Sequence, residues 1–399
     1  MSFSYMVLGA GRQGIAAAYD LVKFGEAKRV TLADVDATLA ERSAAQVNEL
    51  LGRRAATALA LDVSDEAAVR RALKGYDVAL SAVPYFFNLA LTRAAIASGV
   101  SFCDLGGNTD MVRQQHALDG EARRAGVRVV PDCGMGPGMG NTLAVYAMSL
   151  LDSAEHVYIY DGGLPQHPSP PWNYQLTFSI EGLTNEYYGG MTVLRDSKLT
   201  HIPCFTEFEM LEVPPLGDLE CFFIAGGAST APWTFAGKLQ TYELKVLRYP
   251  GNFAQLKAFS DLGLFDTTPV KVDGKEVVPR HLFHALFEPQ VRAEVIKDVC
   301  IVRVRALGKK HGAAAEATVE VIDYYDEATG FSAMQRTTGW HLSIVAAMMA
   351  RGEIRVGSLP VELAVPGDAF VREARRRGFR ITQSIAESAS PEMLMEVAG

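Results

Sequence analysis

An apolar run, Tyr5-Met6-Val7-Leu8, leads directly into Gly9-Ala10-Gly11-Arg12-Gln13-Gly14. A helix-like stretch to Val22 follows, and then a second apolar run, Arg29 to Ala33, that ends in Asp34. Strand, glycine turn, helix, strand and acid, in that order, constrain the fold more than any other feature of the chain. Gly9 permits the tight turn, Gly11 lets the backbone approach a pyrophosphate, and Gly14 lets the helix lie close on the strands. Arg12 and Gln13 open the helix, whose N-terminal N–H groups would meet the phosphates. Asp34 would accept hydrogen bonds from the adenosine ribose hydroxyls and would repel a 2′-phosphate, so NAD is expected over NADP.

The 399 residues exceed one ordinary core, and two domains are expected. A formal charge of −8 argues against a nucleic-acid partner, and the basic run Arg375-Arg376-Arg377 reads as a solvated helix face. The five scattered cysteines show neither metal-ligand spacing nor an even disulfide framework, so no metal is expected. No secretory leader is read at Met1-Ser2-Phe3-Ser4, and no apolar run reaches membrane-spanning length, which points to a cytoplasmic chain without a membrane partner.

Through about residue 140, strands and helices alternate, as in a doubly wound parallel sheet. Ligands of such sheets sit beyond the carboxyl ends of the strands. That rule selects Gly9 to Gly14, Asp34, Asp62 and Val63, Ala82, Val83 and Pro84, and Asp104 with Leu105. Asp62 and Val63 would border the adenine, and Ala82 to Pro84 the nicotinamide ribose. Ser64 is expected to cap the helix that follows. The dense turn Gly134 to Asn141 precedes an apolar helix, Thr142 to Leu151. Beyond it, alternating β-branched and aromatic runs such as His156 to Tyr160, Thr241 to Arg248 and Val299 to Leu307 predict a mixed sheet. The fold expected is therefore α/β: a Rossmann dinucleotide-binding domain over 1–140, an inserted α+β mixed-sheet domain over 141–337 for substrate and dimerisation, and C-terminal helices over 338–399 that return to the first domain.

Several further motifs, in order along nearly the whole chain, resemble the saccharopine dehydrogenase family, with the lysine 6-dehydrogenase branch the nearest in pattern. They are Val83-Pro84-Tyr85, Asp104-Leu105-Gly106-Gly107, Gly136-Pro137-Gly138, Gly162-Gly163-Leu164-Pro165, Phe178 to Leu183, Glu186-Tyr187, Leu247-Arg248-Tyr249-Pro250-Gly251 and Arg336 to Trp340. The resemblance implies a nicotinamide cofactor and redox chemistry at a C–N bond. Saccharopine-forming members resemble Gly-Leu-Asp-Pro-Gly with a histidine near the helix start; here Gly136 and Asn141 stand at those positions, which suits a smaller amine.

The reaction expected is oxidative deamination of a side-chain primary amine, with L-lysine as substrate and ornithine or another diamine as open alternatives. Asp104 is the expected acid/base, and Glu181 or Tyr187 would hold the amine. Arg248, with its planar fork, would bind the α-carboxylate, with Asn141 and Tyr249 completing the substrate site. A saccharopine-type or carboxyspermidine-type reductive condensation stays open, as does a non-catalytic nicotinamide-binding regulator. A homodimer is expected.

Overall fold

In the computed structural model, which describes residues 2–388, strand β1 (Phe3–Leu8) lies inside a seven-stranded parallel sheet. Its neighbours are β2 (Ala27–Asp34) and β4 (Val78–Ser81); β3 (Ala56–Ala60) lies outside β2, and β5 (Ser101–Asp104) and β6 (Arg128–Val130) lie beyond β4. The short strand Gly357–Ser358 adds to β6. The chain therefore winds outward from β1 to β3 and resumes on the other side of β1 at β4. That reversal opens a crevice at the carboxyl ends of β1 and β4. Residues Tyr5 to Leu8 are fully buried, as expected of strands covered on both faces.

Helices α1 (Arg12–Phe24), α2 (Ala37–Leu51), α3 (Glu66–Leu73), α4 (Asn88–Ala97), α5 (Thr109–His116) and α6 (Asp119–Ala125) connect these strands. Asp36 caps α2 by accepting from the Thr38 and Leu39 N–H groups. Asp65, not Ser64, caps α3, accepting from Ala68 N at 2.9 Å, while Ser64 turns back to Asp62. Helix α7 (Met139–Ser149) starts earlier than the sequence pattern suggests, because the glycine turn itself closes its first bonds, Met139 N to Gly134 O and Gly140 N to Met135 O.

Residues Met1–Tyr146 and Gln335–Arg380 make up one compact unit. Within it, Gln335–Trp340 packs on α1, and the helix His341–Ala350, buried through Met349, covers β4 and β5. Arg377 and Asp20 form a fully buried ion pair to which Ser343 adds a hydrogen bond. Of the segment 338–399, expected to be helical, residues 389–399 lie outside the described residues, and the described part is not all helical. The chain leaves this unit at Ile381, and Ile381–Ser388 is an antiparallel strand in the other sheet, consistent with its alternating Ile-Thr-Gln-Ser-Ile pattern.

The second unit comprises Ala147–Met334 and that strand. Its long strands are β7 (Ser153–Pro165), β8 (Gly190–Arg195), β9 (Lys198–Pro203), β10 (Glu209–Val213), β11 (Gly217–Phe222) and β12 (Thr241–Arg248). A hairpin of β13 (Val270–Val272) and β14 (Lys275–Val277) stands apart, and β15 (Asp298–Lys310) and β16 (Ala313–Tyr324) complete the sheet. The order is β10-β11-β12-β7-β15-β16, with Ile381–Ser388 outside β16 and the β8–β9 hairpin attached to β12. β7 and β12 run parallel, so their carboxyl ends, Asp161 to Pro165 and Val246 to Arg248, adjoin. One face of the sheet packs with helices α8 (Ile180–Glu186), α10 (Asn252–Asp261) and α11 (Pro279–Val291) around Tyr174, Leu183, Phe222, Val246, Leu256 and Phe283; α9 (Ala231–Phe235) lies beside β8 and β12. The opposite face gathers Tyr160, Leu164, Leu247, Val299 and Ile301.

Candidate active site

The glycine turn is built as its spacing requires. Gly9 has φ +98°, and a Cβ there would lie 2.8 Å from the Ala82 carbonyl oxygen of the strand across the crevice. A Cβ on Gly14 would fall 1.9 Å from the Gly9 carbonyl oxygen. Gly11 differs: its Cβ would meet nothing within 4 Å. What Gly11 preserves is open space over the α1 N-terminus, where no side chain caps the helix. Arg12 follows, its carbonyl held by Gln335 Nε2 at 2.9 Å. The Gln13 amide, by contrast, has both polar atoms shielded from solvent and without a protein partner.

Asp34 ends β2, and its carboxylate braces two turns. Oδ2 accepts from Ala10 N at 2.8 Å and Oδ1 from Asp36 N at 3.0 Å. Each oxygen retains a further lone pair for a ligand hydroxyl. Ala82, Val83 and Pro84 follow β4, with Ala82 N bonded to Leu8 O at 2.7 Å; Leu105 follows β5; Asp62 and Val63 follow β3. All of these positions lie along one edge of the parallel sheet. Asp62 is exposed, and the Ser64 hydroxyl and N–H hold its carboxyl below the ordinary carboxylate range. The open Gly11, the orphaned Gln13 amide and the acid at the end of β2 fit a dinucleotide, with its phosphates at the α1 N-terminus and a ribose at Asp34.

Asp104 is fully buried at the end of β5. Oδ1 accepts from Gly106 N at 2.8 Å and Oδ2 from Gln115 Nε2 at 2.7 Å, and that amide also reaches Thr92 Oγ1 at 2.8 Å. Burial pushes the carboxyl up to about 6 despite these donors. Its shell is that of a residue pinning the β5–α5 turn. Asn141 is buried in the first turn of α7 and accepts from Gly138 N at 3.2 Å. The next residue, Thr142, bonds His341 at 3.0 Å.

In the second unit, Arg248 ends β12 with only 3 % of its surface exposed. Nε donates to the Tyr187 hydroxyl at 2.8 Å, Nη1 to Leu247 O at 3.0 Å, and Nη2 to Glu186 Oε2 at 3.4 Å. These use three of the five guanidinium N–H donors. Tyr187 is itself buried, stacked on Phe205, Phe222 and Phe265, and burial pushes its phenol up to about 12. The Tyr174 ring lies 5.8 Å from the guanidinium carbon. Glu186 keeps 28 % of its side chain exposed, and burial of the remainder, helped by Asp161, raises its carboxyl above the ordinary range against the pull of Arg248.

The structure thus brings Tyr187 and Arg248 together but not Glu181. Five residues of helix separate Glu181 from Glu186, a rotation of about 140°. Glu181 is more than half exposed and faces Arg280 at 3.5 Å and His284 at 3.6 Å. Tyr249, one residue beyond Arg248, alternates to the other face of the sheet, beside Leu247 and Ile322. Gly251 and Asn252 begin α10, whose first N–H groups are held by Glu220: Gly251 N to Oε1 and Phe253 N to Oε2, both 2.7 Å.

Sequence reasoning missed Glu186 as a side chain of this cluster, and it missed Asp161. The predicted strand stopped at Tyr160, whereas β7 runs on through Asp161 to Pro165. A charged residue inside an otherwise apolar strand run was the available signal.

A doubly wound sheet with this crevice, in one chain with a mixed-sheet unit, is the architecture expected of a nicotinamide-nucleotide-dependent dehydrogenase. Residues 5–130 match the saccharopine dehydrogenase NADP binding domain, and residues 134–377 match the saccharopine dehydrogenase C-terminal domain. The chain belongs to the saccharopine dehydrogenase family. It is 26 % identical over 178 residues to saccharopine dehydrogenase [NADP(+), L-glutamate-forming] of Saccharomyces cerevisiae, covering 42 % of this chain and 38 % of that one. The corresponding Schizosaccharomyces pombe protein is 28 % identical over 152 residues, 36 % of this chain and 33 % of its own length. The matched stretch therefore spans well under half the length of these relatives. Carboxynorspermidine synthase of Vibrio cholerae is 22 % identical over 297 residues, 69 % of this chain and 70 % of that one. Apo saccharopine dehydrogenase (L-Glu forming) from S. cerevisiae shares the fold, with TM-score 0.76 at 18 % identity over 96 % of this chain and 100 % of that chain. Among the described residues, no helix is long and apolar enough to cross a membrane.

Proposed function

We propose that the protein is an NAD-dependent dehydrogenase that oxidatively deaminates a side-chain primary amine of an amino acid. L-Lysine is the substrate favoured, giving 2-aminoadipate 6-semialdehyde and ammonia. The observation that carries this reading is the buried Arg248, held by Tyr187 and Glu186 with two N–H donors unused. A fixed, desolvated guanidinium with spare donors suits a carboxylate-bearing small molecule.

The bound cofactor supplies the hydride acceptor. The chain's own residues place and protect the reactants. Gly11 leaves room for the pyrophosphate and Asp34 accepts from the ribose, which favours NAD, although the matched family model and the yeast relatives carry NADP in their names. Arg248 binds the α-carboxylate, and Tyr187 fixes the plane of its fork. The filled shell of Asp104 supports a positioning role rather than that of an open base.

Hydride can leave the ε-carbon only when the amine lone pair is free. The ordinary amine pKa is about 10.4, so alkaline solution supplies the neutral form and the chain need not contribute a dedicated base. Water then adds to the iminium carbon and ammonia departs.

The Vibrio cholerae match spans more than two thirds of both chains, and this favours reductive condensation of an amine with an aldehyde as the second reading. Assay with NAD and L-lysine, Nε-acetyl-lysine or cadaverine tests the proposal. NADH from lysine alone supports it; equal rates with the blocked amine would refute it.

A further inference from the structure

We propose that Asp161 binds the α-ammonium group of the substrate, so that Asp161 and Arg248 together form a seat for the zwitterionic head of an α-amino acid. This inference rests on the reading that the second unit carries the amino-acid substrate. Asp161 pairs with Val246 across the parallel strands β7 and β12, and Arg248 lies two residues beyond Val246. Residues two apart in a strand share a face, so Asp161 and Arg248 stand on the same face of the sheet, an anion beside a cation.

Asp161 is 5 % exposed, yet its carboxylate has no hydrogen-bond donor or ion-pair partner among the described residues; the Arg248 charge reaches it only through space. A carboxylate this buried normally carries such partners, because removing it from water unpaired is costly. Two other buried hydroxyls of this unit lack partners, one of them on Tyr174, whose ring lies 5.8 Å from the Arg248 guanidinium carbon. The Tyr174 hydroxyl and Thr177 Oγ1, on residues 7 % and 1 % exposed, are both unpartnered. Thr177 Oγ1 lies 3.5 Å from where a Gly163 Cβ would stand, with Met334 Cε nearer still at 2.6 Å, and Gly163 shares the Asp161 face of β7, so only a glycine lets these side chains pack on that face.

The unused groups comprise an anionic acceptor, two guanidinium donors and two hydroxyls. An ammonium donates and cannot accept; a carboxylate accepts and cannot donate. An α-amino acid head offers both on one carbon. A simple diamine would leave Arg248 unmet, and a simple carboxylic acid would leave Asp161 unmet. The pair therefore selects against both truncated forms.

The test is equilibrium calorimetry on the full chain loaded with NADH, a measurement that needs no turnover. L-Lysine, L-ornithine and L-glutamate are compared with 6-aminohexanoate, which lacks the α-amine, and cadaverine, which lacks the α-carboxylate. Wild-type protein is expected to bind at least one α-amino acid about 30-fold or more tightly than its truncated analogues. Asp161→Asn is expected to weaken that amino acid to the level of its des-amino analogue while leaving the analogue's own affinity unchanged. A lost fold in the variant would leave the wild-type ligand series to decide. Equal binding of lysine and 6-aminohexanoate, failure of every α-amino acid to bind, or an Asp161→Asn variant that still discriminates would overturn the proposal. Head-group-dependent binding without NADH formation from lysine would retain this seat and refute the deaminase reading; turnover of lysine with undiminished discrimination in Asp161→Asn would do the reverse.

Discussion

Arg248 Nε donates to the Tyr187 hydroxyl at 2.8 Å, and both side chains are almost wholly removed from water. The bond ties the last residue of β12 to the residue just after α8, and it fixes the orientation of the guanidinium plane. Tyr187→Phe would leave a buried N–H of a charged group unmet, at a cost of about 1–3 kcal/mol. The expected outcome is a lowered melting temperature and a KM for the amino acid raised about tenfold or more, with NADH affinity unchanged. Unchanged KM and stability would show that the bond orients nothing of consequence.

Arg248→Lys retains the positive charge but loses the planar fork and the Nε–H that Tyr187 receives. kcat/KM for the amino acid should fall roughly 30-fold or more, because point charge and fork are not interchangeable at a buried carboxylate site. Cadaverine, without a carboxylate, should be indifferent to the change. Steady-state kinetics on both compounds decides.

Asp161 gives a pH signature whose sign can be derived. Burial raises its carboxyl to about 7, with Arg248 offsetting part of the shift, against an unfolded value of about 3.9. Between those values the folded chain holds more protons than the unfolded chain, so this group lowers stability as pH climbs from about 4 to about 7. Above both values its penalty is constant. Asp161→Asn cannot ionise, so the variant's melting temperature should rise relative to wild type as pH goes from about 5 to about 8. A difference that is flat with pH, or of opposite slope, contradicts the assignment.

The glycines of the turn should separate by function. Gly14→Ala places a carbon against the Gly9 carbonyl and should cost about 1–3 kcal/mol or more. At Gly11 a Cβ meets open space, so for Gly11→Val stability should stay within about 0.5 kcal/mol while NADH binding weakens. Thermal melts paired with NADH fluorescence titration test both, and a Gly11→Val protein that binds NADH normally would remove the phosphate from this place.

Cofactor choice turns on Asp34. The wild type is expected to bind NADH at least about tenfold more tightly than NADPH, because a 2′-phosphate would face a carboxylate. Asp34→Asn should narrow that gap chiefly by weakening NADH. Preference of the wild type for NADPH would reverse the choice and align this chain with the names of its yeast relatives.

The parallel sheet was legible because its signals are local and redundant: apolar runs, Gly9 to Gly14 and an acid after β2 all point to one topology. The substrate end was legible only in part. Arg248 and Tyr187 stood out as chemistry-bearing types, but the choice between Glu181 and Glu186 depends on which side of α8 faces β12, and no spacing in so short a helix reveals that. Asp161 was hidden because a carboxylate followed by Gly162 and Gly163 reads as a turn, whereas β15 on one side and β12 on the other extend β7 through it. The strand Ile381–Ser388 likewise depends on a partner, β16, distant in sequence.

The most direct test is absorbance at the reduced-nicotinamide band with purified protein, NAD and L-lysine at alkaline pH and no second substrate, with ammonia measured in parallel. NADH and ammonia are expected in equal amounts, at a rate that climbs with pH as the free amine appears. No NADH from lysine, together with consumption of NADH when a semialdehyde and an amine are supplied, would contradict it and assign the protein to the condensing chemistry.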